Sequence, residues 1–261
     1  MNYELFKPSA FLSRPLSQIK NVGVVSFSMR GTTYKEVTQT SNTTKSKMNP
    51  FGGVSSSTSV TTITVTKEFP WETLLEKLYP QFVAVIESEF GAKVLPIEKV
   101  TGCEAYKTLE TFAKDDESTN VEFVKSYKNM VVRSAFMPIA EGFGTGGINE
   151  RLMTESGANA LLTMTLDLLS GVGPKGEALI IPKFGFELSG KINGTLYNTK
   201  FFSGSISSDY GAPFTKNVTP AELEAIVRAA DLVNAFRKGL QELKLKEKEN
   251  GDYDAVWNLQ N

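Results

Sequence analysis

EALIIPKFGFELSGKINGTLYNTKFFSGSI, residues 177–206, carries the alternation of a β-hairpin. From 178 to 192 the even positions are Ala, Ile, Pro, Phe, Phe, Leu, Gly and Ile, while the odd positions include Lys183, Glu187, Ser189 and Lys191. A period of two, apolar on one side and polar on the other, marks a strand buried on one face. Asn193-Gly194 supplies the two positive-φ residues of a type I′ turn. Pairing outward from Ile192 and Thr195 sets Phe186 opposite Phe201 and Glu187 opposite Lys200. The same register lays Tyr197 over Gly190 and Phe202 over Gly185, so that rings cover the gaps left by glycines. Phe186 and Phe201 then face a core, and Phe202 projects to the opposite face beside Lys200.

Working outward, residues 1–20 read as an extended lead-in, and 21–29 (NVGVVSFSM) as a central strand with apolar residues on both faces. Residues 31–66 form a polar excursion rich in Ser, Thr and Asn with a turn near Phe51, open to reading as a protruding hairpin arm or as a loop. Pro70 opens a helix whose stripe is Trp71, Leu74, Leu75, Leu78, Phe82, Val85 and Ile86, with Gly91 as its stop. Pro80 is expected to kink or split it. A short strand follows at 92–97, then helices at 103–113 and 121–132, a helix at 149–156 capped by Gly157, and a third strand at 160–170. After the hairpin, Thr219-Pro220-Ala221-Glu222 is a capping box opening an amphipathic helix to 243. Residues 244–261 read as a charged tail that Trp257 is able to dock. One domain over 21–243 is expected, α/β (α+β) in class: a single mixed β-sheet of about five strands ending in an antiparallel hairpin, with helices packed on it.

Composition excludes several activities. The chain has 261 residues, net charge −1 and no histidine, which removes Ser-His-Asp and Cys-His catalysis and imidazole zinc sites. Cys103 is the one cysteine, so no intrachain disulfide or thiolate cluster forms, and a small buried hydrophobe is its expected role. No basic excess attracts nucleic acid, and no apolar run reaches the roughly 20 residues of a membrane helix. The N-terminus lacks the regions of a secretory signal.

The opening strand NVGVVSF, the helix ending in FGAKVLP, the passage ESGANALLTMTLDLL, the hairpin and the closing helix AELEAIVRAADLVNAFRKGLQEL together resemble the soluble domain shared by the secretion lipoprotein CsgG and the N-terminal domain of TolB. In ESGANALL, Asn159 stands where that family usually has Asp. The resemblance implies a non-enzymatic envelope protein, periplasmic or outer-membrane-associated once a signal sequence is removed and otherwise cytoplasmic. It also implies work through contacts with other envelope proteins or through self-association, with peripheral membrane association left open. Two departures stand out. No cysteine lies near residue 1 to carry a lipid, and 32–45 offers only Tyr34 and Val37 as large apolar residues, so a membrane-spanning barrel strand is not expected from the arm.

Residue by residue, the candidates are few. Gly142, Gly144, Gly146 and Gly147 precede a helix and invite an anion-loop reading, but no Gly-Lys-Ser/Thr ending follows, so a connector is expected. Asp115, Asp116 and Glu117 lack calcium-loop spacing. Asp167 sits alone on the polar side of its strand without a nameable partner for acid–base work. No catalytic residue, metal or cofactor is assigned. Phe202, Lys200, Tyr197 and Phe51 are the candidate partner or ligand surface. The alternatives to an assembly role are a small-ligand binder with a pocket beside the hairpin, and an enzyme running on Asp/Glu chemistry alone.

Overall fold

The computed structural model describes residues 1–8, 15–31, 34–48, 54–67, 69–111, 123–133, 147–174, 178–191, 198–213, 218–250 and 257–260. The elements in chain order are β1 (Asn2–Lys7), β2 (Asn21–Gly31), β3 (Tyr34–Met48), β4 (Val54–Lys67), α1 (Trp71–Phe90), β5 (Lys93–Val94), α2 (Ile97–Thr101), α3 (Glu104–Lys107) and β6 (Phe123–Ser126). They continue with α4 (Ile148–Ser156), β7 (Ala160–Val172), β8 (Ala178–Lys191), β9 (Asn198–Ser207), β10 (Ala212–Pro213), α5 (Pro220–Ile226), α6 (Ala229–Asn250) and β11 (Trp257–Gln260). The fold is α+β, with helices on one mixed sheet. Among the described residues that sheet has nine strands in the order β11-β1-β9-β8-β7-β2-β5, with β6 also on β2 and β10 also on β8. β2 runs parallel to β5 and β7, whereas β7, β8, β9, β1 and β11 alternate in direction.

Two strand irregularities decide which side chains enter the core. In β2, Val24 pairs with Leu162 and Ser26 with Thr163, so Val25 is an extra residue. Val22 and Val24 before it, and Phe27 and Met29 after it, all face the larger core under α1 and α6, while Val25 enters a second core with Val100, Tyr106 and Leu152. The inserted residue flips the parity of the strand and keeps one face apolar along its whole length. The Tyr106 hydroxyl donates to the Val25 carbonyl at 2.9 Å, satisfying the group the bulge turns away from the ladder.

The second irregularity corrects the hairpin register. β8 pairs Lys191 with Asn198, Gly190 with Thr199 and Ser189 with Lys200, then Leu188 with Phe202 and Phe186 with Gly204, so Phe201 is the extra residue of β9. The expected pairs Phe186/Phe201 and Glu187/Lys200 do not form, and Gly185 faces Ser205 instead of Phe202. Phe201 and Phe202 both turn inward. The Phe201 ring covers Gly190 so closely that a Cβ there would meet it at 2.4 Å, and Phe186 does the same for Gly204 at 2.7 Å. Glycine rescue by aromatic rings is real, but by different rings. The Asn193-Gly194 turn and Tyr197 lie outside the described residues.

Helix α1 runs unbroken through Pro80. Proline costs it one hydrogen bond, but Leu74, Leu75 and Leu78 before it and Phe82, Val85 and Ile86 after it are all buried. Phe82 stacks on Phe184 at 4.1 Å, and Phe236 of α6 meets both edge-on. The segment expected as a helix at 121–132 is instead β6 followed by a 3-10 turn, because β2 needs an edge partner and takes Ser28↔Ser126 through Gly31↔Phe123. Likewise the helix expected over 103–113 is the single turn α3. The capping box at Thr219 is present, but the helix it opens breaks at Arg228, φ 53°, into α5 and α6. The lead-in and tail both join the sheet: β1 pairs β9 and β11, and α6 continues to Asn250.

Candidate functional site

The face of the sheet opposite α1 and α6 is polar along three successive rungs. Arg30, Asp167, Lys183 and Ser207 stand side by side across β2, β7, β8 and β9; the next rung is Ser28, Thr165, Gly185 and Ser205, and the third Ser26, Thr163, Glu187 and Ser203. Arg30 grips Asp167 in a two-point contact, Nε to Oδ1 at 2.5 Å and Nη2 to Oδ2 at 3.0 Å. With side chains only 10% and 14% exposed, the two form a largely buried ion pair, and Arg30 is the partner that the strand pattern left unnamed for Asp167. Glu187 pairs with Lys200 at 2.7 Å, reached diagonally in the observed register. The backbone of Arg133 straps the inner rungs: its carbonyl accepts from Ser28 Oγ at 3.3 Å and Thr165 Oγ1 at 3.0 Å, and its amide donates to Ser26 Oγ at 3.1 Å. Asp167 and Glu187 lie on adjacent strands four residues out of step, roughly 13 Å along the strand, which is too far for a cooperating acid–base pair.

Above the Arg30 rung the chain leaves the sheet. β3 and β4 pair with each other from Tyr34↔Lys67 to Met48↔Val54 and with no other described strand, forming a ribbon about 45 Å long. Both roots are fixed. On the outgoing side Gly31 fits where a Cβ would meet Leu168 at 2.9 Å and the Phe123 ring at 3.2 Å. On the returning side Phe69 packs on Trp71 at 5.5 Å, and Trp71 stacks on Phe123 at 4.8 Å, 12° from parallel. Lys125 pairs with Glu72 at 2.8 Å beside them, and that contact holds the Glu72 carboxyl below its usual pKa. The ribbon therefore issues from a rigid base. Its two edges differ in chemistry: β3 carries Lys35, Glu36, Lys45 and Lys47, whereas β4 reads VSSSTSVTTITVTK, with one charge, at its end, and many β-branched residues. Charge is the usual guard of an exposed edge, and β4 lacks it.

The expected surface residues are not brought together. Phe202 is fully buried, against Phe186 at 6.2 Å and Phe90 at 5.7 Å, because the three-residue change in register moves it to the core face. It offers no surface to a partner. Lys200 is half-exposed, between Glu187 and the Phe6 ring. Tyr197, Phe51, Gly142, Gly144, Gly146, Asp115, Asp116 and Glu117 lie outside the described residues. Gly147 precedes α4, its carbonyl accepting from the Arg151 amide at 3.0 Å. Cys103 is buried, its thiol donating to the Lys99 carbonyl at 3.1 Å, and burial pushes its pKa up, away from thiolate chemistry.

A groove of about 640 Å³ lies between the ends of α1 and α6, lined by Pro15, Leu16, Glu89, Phe90, Lys244 and Lys248 among others. Among the described residues no group of three acidic or cysteine side chains converges as a metal site, and no helix is long and apolar enough to cross a membrane. No protein-family model, curated protein or solved structure matches the chain.

Proposed function

We propose that this is a non-enzymatic assembly protein, of the envelope type its sequence resembles, working through protein contacts made by the β3–β4 ribbon. The observation that carries the reading is a long ribbon on an anchored base whose β4 strand pairs with no described strand but β3 and is rich in β-branched residues, with no charge before Lys67. An isolated two-stranded hairpin is marginal in water, and adding a strand from another chain satisfies its edge and lengthens its sheet. Self-association and pairing with another envelope protein are the two forms this takes. The experiment is light scattering behind size exclusion on the intact chain and on a Thr61→Lys/Ile63→Lys variant. Association that the two lysines abolish supports the reading; a monomer at every concentration, or association that the lysines leave unchanged, contradicts the self-association form.

A second reading, a small-ligand binder, is favoured by the groove at Leu16 and Phe90, which borders the C-terminal hairpin through the Phe90–Phe202 contact. Its volume is in the range of ligand pockets. Native mass spectrometry of the purified chain separates the two: a reproducible added mass on a monomer favours the ligand binder.

A further inference from the structure

We propose that the outer face of the first half of α6 is a docking site for an extended, acidic peptide segment of a partner protein. This rests on the reading that the protein acts by protein contacts, and it gives that partner a chemistry.

A groove of about 450 Å³ runs beside α6, lined by Met1, Arg228, Asp231, Asn234, Arg237 and Lys238, with Ala235 and Gln241 completing it. Asn234, Arg237, Lys238 and Gln241 follow one another at helical spacing and are exposed, so they form one continuous stripe. Arg228, at the break before α6, is held in the left-handed region with φ 53°. Its Nη1 donates to Ser208 Oγ at 3.0 Å, and its Nε and Nη2 meet Asp231 Oδ2 at 2.8 and 2.7 Å. The one carboxylate in the groove is thus already taken up by Arg228, while Arg237 and Lys238 have no ion-pair partner among the described residues. Farther along the same helix Lys244 pairs with Glu89, and Glu247 meets Lys7 of β1. Arg228 and Asp231 offset each other, so Arg237 and Lys238 leave the middle of this groove positive, with Glu89 bordering its far end through Gln241.

Its shape selects the occupant. The lining from Arg228 to Gln241 spans thirteen residue steps, about 20 Å at helical rise, far longer than a single phosphate and matched to a peptide of several residues. Arginine and lysine recognise carboxylates, and the Asn234 amide both donates and accepts, as main-chain peptide groups require, while Gln241 at the far end already donates its Nε2 to Glu89 at 2.9 Å. The opening of α6 adds a favourable partial positive charge near Asp231.

The test is fluorescence anisotropy of the full chain with a labelled, capped peptide of about ten residues rich in Asp and Glu, at ~50 mM salt. Saturable one-to-one binding is expected, weakened roughly tenfold or more by Arg237→Glu/Lys238→Glu and by raising salt to ~300 mM. Both substitutions are at exposed positions, so the melting temperature is expected to stay unchanged, and a matched Lys/Arg peptide is expected not to bind. The proposal is overturned if no saturable binding occurs, if the double variant binds equally well, or if inorganic pyrophosphate displaces the peptide at equal concentration, which would mark a compact anion site. Thr61→Lys/Ile63→Lys is expected to leave peptide binding intact, so failure of the ribbon reading and failure of this one are scored separately.

Discussion

Lys7 is fully buried at the end of β1, its ammonium 3.4 Å from Glu247 and 3.3 Å from the Phe201 carbonyl. Burial disfavours the charged form more than Glu247 favours it, which lowers the Lys7 pKa from 10.5 to about 8. Between those values the unfolded chain holds the proton and the folded chain does not, so this group makes stability rise with pH across that window. Wild type is therefore expected to gain up to roughly 3 kcal/mol over Lys7→Met between pH 8 and 10.5, read from urea midpoints. A difference that stays flat with pH would rule this out. Asn159 makes a second residue-scale prediction. Its Oδ1 accepts from the Lys20 and Asn21 amides at 3.0 and 2.9 Å, and its Nδ2 donates to the Gln18 carbonyl at 2.6 Å. Asp keeps the two acceptances but sets a carboxylate oxygen against a carbonyl. Asn159→Asp is expected to cost roughly 2 kcal/mol at neutral pH and less as pH falls and the carboxyl gains a proton to donate. Equal stability of the two chains at neutral pH would contradict that geometry.

At the scale of elements, the strands and helices that carry their own periodicity were legible. The alternation from Ile180 to Leu188 placed the core face of β8 correctly, as did the stripe of α1 and the capping box of α5. Register was not, since a period of two fixes which face is buried but not which partner stands opposite, and the observed pairing of β8 with β9 is offset from the expected one. The extra residues Val25 and Phe201 each flip a strand's parity, and nothing in local composition announces them. β6 reads as helix in isolation and becomes a strand only because β2 offers an edge, a tertiary choice. Of the candidate site, the ribbon was visible as one of two options, while the basic stripe on α6 was hidden within an ordinary charged helix face. Packing predicts that Gly190→Ala costs about 2 kcal/mol, since its methyl would meet both the Phe201 ring and the Asn159 carbonyl, 2.8 Å away. Thermal unfolding checks it. Replacing 35–66 by a short Gly-Ser linker is expected to leave the sheet's stability within ~1 kcal/mol, because the ribbon pairs only with itself.

On the scale of the whole molecule, a sheet covered on one face by α1 and α6, and carrying on the other a smaller apolar core beside the three polar rungs, is the base from which the ribbon issues. The Arg30–Asp167 pair and the Trp71–Phe123 stack hold the two roots of the ribbon from opposite sides of the same strand end. Under the proposed function, the work of this base falls to an edge instead of a pocket. The measurement that tests this most directly is light scattering behind size exclusion, across a range of concentrations, on the intact chain and on the chain with 35–66 replaced by the linker. A defined assembly is expected for the intact chain and a folded monomer for the shortened one. An assembly of the same size without the ribbon, or an intact chain that stays monomeric and carries a bound small molecule, would contradict it.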